Sequence, residues 1–149
     1  MSMRLVLGTT NLGKVRELVE LLGPFGIGCD SLADLAGAVE VAETGGSFAE
    51  NAALKAVQQA VAGGRWVLAE DSGLVVPALG GAPGIHSARF SGRAVTEGRE
   101  TVDAANSRLL LERLAGFPRA QRTAHYACHA ALADPAGRIV AVAAGTCGG

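Results

Sequence analysis

The 149-residue sequence is short of several features, and each absence excludes something. No apolar run approaches the length of a membrane span, and the N-terminus has no charged start, apolar stretch and small-residue cleavage site of a secretory signal. The expected location is therefore the cytoplasm. Net charge is close to nil at −1, so no long-range field gathers nucleic acid or anionic lipid, and any bound anion must be held by local groups. Three cysteines, Cys29, Cys128 and Cys147, are odd in number and widely spaced. They form no metal-binding spacing and read as structural thiols. There are no repeats and no low-complexity linker, and the length suits one domain over residues 1–149. Lysine is scarce too: the basic residues are arginines except for Lys14 and Lys55. A lysine is a compact point charge on a slim stem, so its use against this bias marks positions where a narrow site is worth seeking.

What is present is 49% hydrophobic, enough for a real core and too much for disorder. Arg4–Gly8 reads as a short buried strand, and Thr9–Gly13 as a polar turn. A helix from Lys14 follows, with Val15, Leu18, Val19 and Leu22 on one apolar face, stopped by Gly23-Pro24. Ser47 and Glu50 form a capping box that opens a second helix, ending at Gly63-Gly64. Trp66–Ala69 reads as a short strand running into Glu70-Asp71-Ser72-Gly73, with a further strand over Leu74–Leu79. A third helix is expected from about Val102 to Leu114. Thr123–Ala133 and Arg138–Ala144 read as a hairpin about Asp134-Pro135-Ala136-Gly137. Such an order points to an α/β fold around a mixed sheet.

Two stretches carry candidate chemistry. Gly8-Thr9-Thr10-Asn11-Leu12-Gly13-Lys14 lies between a strand and a helix, where unpaired backbone N–H groups suit phosphate. Glycine permits close approach, Thr9, Thr10 and Asn11 offer short polar groups, and Lys14 adds charge. The stretch nearly matches a P-loop, but Val15 stands where that motif needs a hydroxyl on Mg²⁺. A valine cannot ligate metal, which argues against a P-loop NTPase and moves the metal elsewhere. Glu70-Asp71-Ser72-Gly73 is the place that qualifies, since Mg²⁺ takes one or two carboxylates plus phosphates and water. Strand neighbours face opposite ways, so Glu70 and Asp71 should not share one role. His125 and His129 share a strand face by parity, with Cys128 opposite, and read as half-buried strand residues. His86 lies in a glycine-rich loop and could touch substrate or a second subunit.

Together these stretches resemble the inosine triphosphate pyrophosphatase family. The resemblance is carried by TTNLGKVREL at the start, ETGGSFAENAALKA at 43–56, AEDSGLVVPALGGAPGIHSARFSG at 69–92, and QRTAHYACHAAL after them. It implies an elongated, two-lobed α/β structure around a long mixed sheet, acting as a homodimer on purine nucleoside triphosphates with Mg²⁺. It would place triphosphate on Thr9, Thr10, Asn11, Leu12, Gly13 and Lys14, with Lys55 a second phosphate contact and Ser72 a substrate contact. Asp71 would bind Mg²⁺ or act as general base on the attacking water. The implied reaction converts ITP, dITP or XTP to monophosphate and pyrophosphate; the alternative is a nucleotide-binding module without catalysis. The sequence departs from the family pattern in three places. The register of a metal-binding acid near Glu43 is loose, with Ala42 in contention. His86 stands where tyrosine is frequent. The family's later Gly-Phe-Gly-Tyr-Asp-Pro-like loop, further lysine and Ser-His-Arg motif do not occur, so the expectation is a C-terminally shortened member.

Overall fold

A computed structural model describes residues 3–149. Five strands form one sheet in the order β2-β1-β3-β4-β5: β1 is Arg4–Leu7, β2 Gly28–Asp30, β3 Val67–Val75, β4 His125–Ala133 and β5 Ile139–Gly148. β1 runs parallel to both neighbours, Leu5 facing Cys29 and Val6 facing Val67, while β4 and β5 form the expected hairpin and make the sheet mixed. Three helices complete the α/β architecture: α1 (Leu12–Leu22), α2 (Phe48–Gly63) and α3 (Arg99–Leu114). The residues pack as two compact units. One holds the chain up to Asp71 plus His129–Ala144; the other holds Ser72–Cys128 and Gly145–Gly149.

In the first unit the core is built of small and branched residues. Ala52, Ala56 and Ala60 recur every four residues along α2, all fully buried, and pack in one cluster with Val6, Val67, Ala69, Leu35, Ala131 and Ala133. Side chains this small let the helix lie close to the sheet. α1 is held less deeply than its periodicity suggests: Val15, Leu18 and Leu22 are half-buried and Val19 is exposed. Its start lies two residues earlier than expected, because Asn11 caps it by accepting from the Gly13 N–H at 3.0 Å. At α2 the Ser47 hydroxyl accepts from Glu50 N–H as the motif predicts, but Glu50 accepts from Gly46 N–H rather than from Ser47. β2 is tied to β1 by Asp30, which takes Arg4 Nε at 3.1 Å and Arg65 Nη2 at 2.6 Å. The Arg4 guanidinium first, and Arg65 after it, hold the Asp30 carboxyl down at about 2. The hairpin turn closes as its residues dictate: buried Asp134 accepts from the Ala136 and Arg138 N–H groups at 3.0 Å each, and Gly137 supplies a positive φ.

In the second unit, Asn106 of α3 pins the irregular loop that carries His86. Its Oδ1 accepts from Ser91 N–H at 2.7 Å, and its Nδ2 donates to the carbonyls of Ser87 and Ala88. Ser87 Oγ in turn accepts from Leu74 N–H and donates to Gly84 O.

One expectation is corrected. The strands expected over Trp66–Ala69 and Leu74–Leu79 are a single one: β3 runs unbroken from Val67 to Val75 through Glu70-Asp71-Ser72-Gly73, and a short 3₁₀ turn at Pro77–Leu79 follows it. A central strand has backbone partners on both sides, so the ladder carries through the polar residues. The cysteines are also less enclosed than structural thiols would be: Cys29 is half-buried, while Cys128 and Cys147 are exposed, and none of the three is in a disulfide.

Candidate active site

The site is built where the turn after β1 meets β3 and α2. Gly8 is buried, its N–H bonded to Leu68 O at 2.8 Å, and a Cβ there would lie 3.0 Å from Ala69 Cβ. A side chain there would crowd β3, so glycine lets the turn lie close against it. Thr9 Oγ1 accepts from Asn11 N–H at 3.1 Å, which with the Asn11 cap shapes the chain into the helix start. Thr9 is half-buried, Thr10 is exposed, and Leu12, the first helical residue, is 77% exposed.

The acidic pair in β3 is buried, and its two members are served by different lysines. Glu70 forms an ion pair with Lys14 of α1. Asp71 pairs with Lys55 of α2, Nζ to Oδ1 at 3.4 Å, and the same ammonium reaches Glu43 Oε1 at 3.3 Å. The alternation of the strand thus gives Glu70 and Asp71 separate partners, as their sequence neighbourhood implied. Ser72 follows on β3, half-buried, and is not without partners.

A cavity of about 240 Å³ lies beside the turn, lined by Gly8, Thr9 and Thr10 on one side and by Glu43, Lys55 and Gln59 on another. Of the residues expected to hold substrate, Thr9, Thr10 and Lys55 meet here, with Asp71 joined to them through Lys55. Leu12, Gly13 and Lys14 are not in its lining; Gly13 N–H is taken by Asn11, and Lys14 stands with Glu70. His86 is exposed in the other unit, and His129 stacks on Phe48 with ring centroids 6.2 Å apart, a packing role.

Two contributors escape sequence reading. Gln59, almost fully buried, holds Val39 through both its amide atoms, and fully buried Asn51 holds Gly45. Polar residues at four-residue spacing with Lys55, beside an alanine stripe, are the signal that could have revealed them.

Hard cations take oxygen ligands. Asp71 Oδ2 is buried with no hydrogen-bond partner among the described residues, and Asp71 and Glu43 already share one cationic group. Among the described residues no three or more His, Cys, Asp or Glu gather into a cage. The two carboxylates sharing the Lys55 ammonium are donors of the kind Mg²⁺ takes, alongside phosphate oxygens and water.

The profile of the Ham1 family matches residues 5–149. A dITP/XTP pyrophosphatase of Desulforamulus reducens is 48% identical over 147 residues, covering 99% of this chain and 70% of that protein. One of Geobacillus kaustophilus is also 48% identical, over 97% of this chain and 68% of its own length. Among solved structures, a nucleoside-triphosphatase / dITP/XTP pyrophosphatase from Mycobacterium abscessus superposes with a TM-score of 0.79 at 39% identity, covering 99% of this chain and 73% of that one. A HAM1 protein from Coxiella burnetii gives 0.84 at 32%, over 99% and 72%. Matched along nearly its whole length in sequence and in fold, the chain belongs to the Ham1 family.

Proposed function

We propose that this protein hydrolyses the nonstandard purine nucleoside triphosphates ITP, dITP and XTP to monophosphate and pyrophosphate with Mg²⁺, clearing them from the nucleotide pool. The observation that carries the reading is Lys55, one ammonium set between Asp71 and Glu43 at a cavity walled by the Gly8–Thr10 turn. The relatives' activity as dITP/XTP pyrophosphatases gives the substrate class.

In this reading the turn from Thr9 to Lys14 receives the phosphates with its hydroxyls and helix-start N–H groups, and Lys14 and Lys55 offset their charge. Lys55 exchanges its carboxylate partners for phosphate oxygens. Asp71, with Glu43 sharing the same ammonium, would provide oxygen ligands for Mg²⁺, which would neutralise developing phosphate charge. Asp71 also holds and polarises the water that attacks the α-phosphorus, and pyrophosphate leaves. Ser72, beside it on β3, contacts substrate. Such a reaction depends on positioning and electrostatic stabilisation more than on covalent steps by the protein. The same reading makes the protein cytoplasmic and a homodimer, and light scattering on the purified chain tests the second point.

The test is a pyrophosphate-release assay with ITP, dITP, XTP and ATP, with Mg²⁺ and with chelator. Release from the first three that depends on Mg²⁺, with ATP a poor substrate, is the expected result. Binding of ITP by titration calorimetry without any pyrophosphate release would make the protein a nucleotide binder instead.

A further inference from the structure

Helix α2 carries a second stripe beside its alanines. Asn51, Lys55 and Gln59 stand four residues apart, so they lie along one face of the helix. Each grips the segment Val39–Gly45, which runs past the helix in the opposite direction. Gln59 accepts from Val39 N–H at 3.0 Å and donates to Val39 O at 2.6 Å. Lys55 reaches Glu43 at 3.3 Å, and Asn51 Oδ1 accepts from Gly45 N–H at 2.8 Å. The fit at the last grip is tight: a Cβ on Gly45 would lie 2.7 Å from Asn51 Oδ1.

Hydrophobic packing contributes little to the strap, and Gly46 just beyond it is held by Glu50. Every residue from Val39 to Gly45 is exposed or half-buried, and none belongs to the hydrophobic core. Its three side-chain grips differ in kind. The two amide grips are neutral and directed at backbone, and although Gln59 and Val39 line the same cavity, an anion finds no full charge there to take over. The central grip is an ion pair on a cationic group that lines the cavity, and an arriving polyphosphate competes for it directly.

We propose that Gln59 and Asn51 are positioning residues that keep the strap on α2, and so keep Glu43 at the site, when Lys55 leaves Glu43 for the phosphates. The inference rests on the pyrophosphohydrolase reading above. It gives the strap a fixed outer frame and one exchangeable link. Without the frame, release of Lys55 would free the whole segment, and the second carboxylate would be lost when the phosphate–Mg²⁺ unit needs it.

The experiment uses the full chain and follows backbone hydrogen exchange of the segment spanning 39–46, with and without inorganic tripolyphosphate and Mg²⁺. In the parent protein the Val39 and Gly45 amides stay protected in both conditions. In Gln59→Met, exchange of the segment and the Mg²⁺ concentration for half-maximal hydrolysis each rise about thirtyfold, the equivalent of two ordinary hydrogen bonds. The maximum rate at saturating Mg²⁺ falls much less. Gln59→Glu, which keeps the acceptor for Val39 N–H and loses the donor, lies between. A merely structural role would lower the active fraction without moving the Mg²⁺ requirement, and that pattern overturns the proposal. So does loss of Val39 and Gly45 protection in the parent on adding tripolyphosphate and Mg²⁺. If the parent releases no pyrophosphate, the enzymatic reading fails, yet parent exchange with tripolyphosphate still decides the strap. Should a Gln59 variant fail to fold, that same parent measurement decides.

Discussion

Replacing Lys55 with methionine keeps the length and apolar bulk of the side chain and removes its charge. Asp71 is buried and Glu43 is 29% exposed in its side chain, and both lose their shared cation, held at 3.4 and 3.3 Å. Removing one partner of a buried ion pair costs roughly 3–5 kcal/mol, because the other charge stays behind uncompensated. Glu43 retains some water, so the low end, about 3 kcal/mol, applies. For a domain of this size that lowers Tm by about 6–12 °C. Mg²⁺ supplies the missing positive charge, so adding it should raise the variant's Tm more than the parent's. Catalysis falls for a separate reason: the lost charge-assisted phosphate contact, about 1.5–3 kcal/mol, lowers kcat/KM about 10- to 150-fold. Thermal melts with Mg²⁺ and with chelator, beside steady-state dITP hydrolysis, read both effects. A variant as stable as the parent, with kcat/KM within about twofold, would refute the assignment of Lys55 to both carboxylates and phosphate.

Asp71→Asn should leave the fold intact and nearly abolish turnover, since a neutral amide is a poor Mg²⁺ ligand and no base. Glu70→Gln, whose partner is Lys14, should reduce turnover less; a larger loss than in the Asp71 variant would reverse the two roles. Lys14→Ala should weaken triphosphate binding by about 1.5–3 kcal/mol, measured by calorimetry with a nonhydrolysable analogue. Asp30 tests the frame rather than the site. Its folded pKa is held at about 2, against 3.8 ordinarily, so its contribution is complete above pH 3.8 and lost as pH falls through 2. Asp30→Asn should melt below the parent at neutral pH, with the difference closing between about pH 4 and pH 2. A gap that widens on acidification would contradict the Arg4 and Arg65 pairing.

Features fixed by neighbours in the chain were legible in the sequence. The Ser47 cap, the Asp134–Gly137 turn and the glycine-containing entry to α1 each rest on contacts within a few residues, and each is present. The resemblance implies Asp71 and Lys55 as site residues, and in the structure the two form an ion pair. β3 was read as two strands because Asp71, Ser72 and Gly73 interrupt its apolar run. Nothing local shows that lysines 56 residues upstream and 16 residues upstream stand opposite the two carboxylates. The strap from Val39 to Gly45 was invisible for the same reason. It has neither apolar period nor turn chemistry, and its place is set by side chains of α2 up to 20 residues away.

The central claim is that water held at Asp71 attacks the α-phosphorus and expels pyrophosphate intact. Hydrolysis of dITP in ¹⁸O-water, followed by mass spectrometry of the products, tests it directly. The label should appear in the deoxyinosine monophosphate, with pyrophosphate unlabelled and no inorganic phosphate as first product. Label in pyrophosphate, or in phosphate released beside a nucleoside diphosphate, would place the attack on the wrong phosphorus and contradict the site described here.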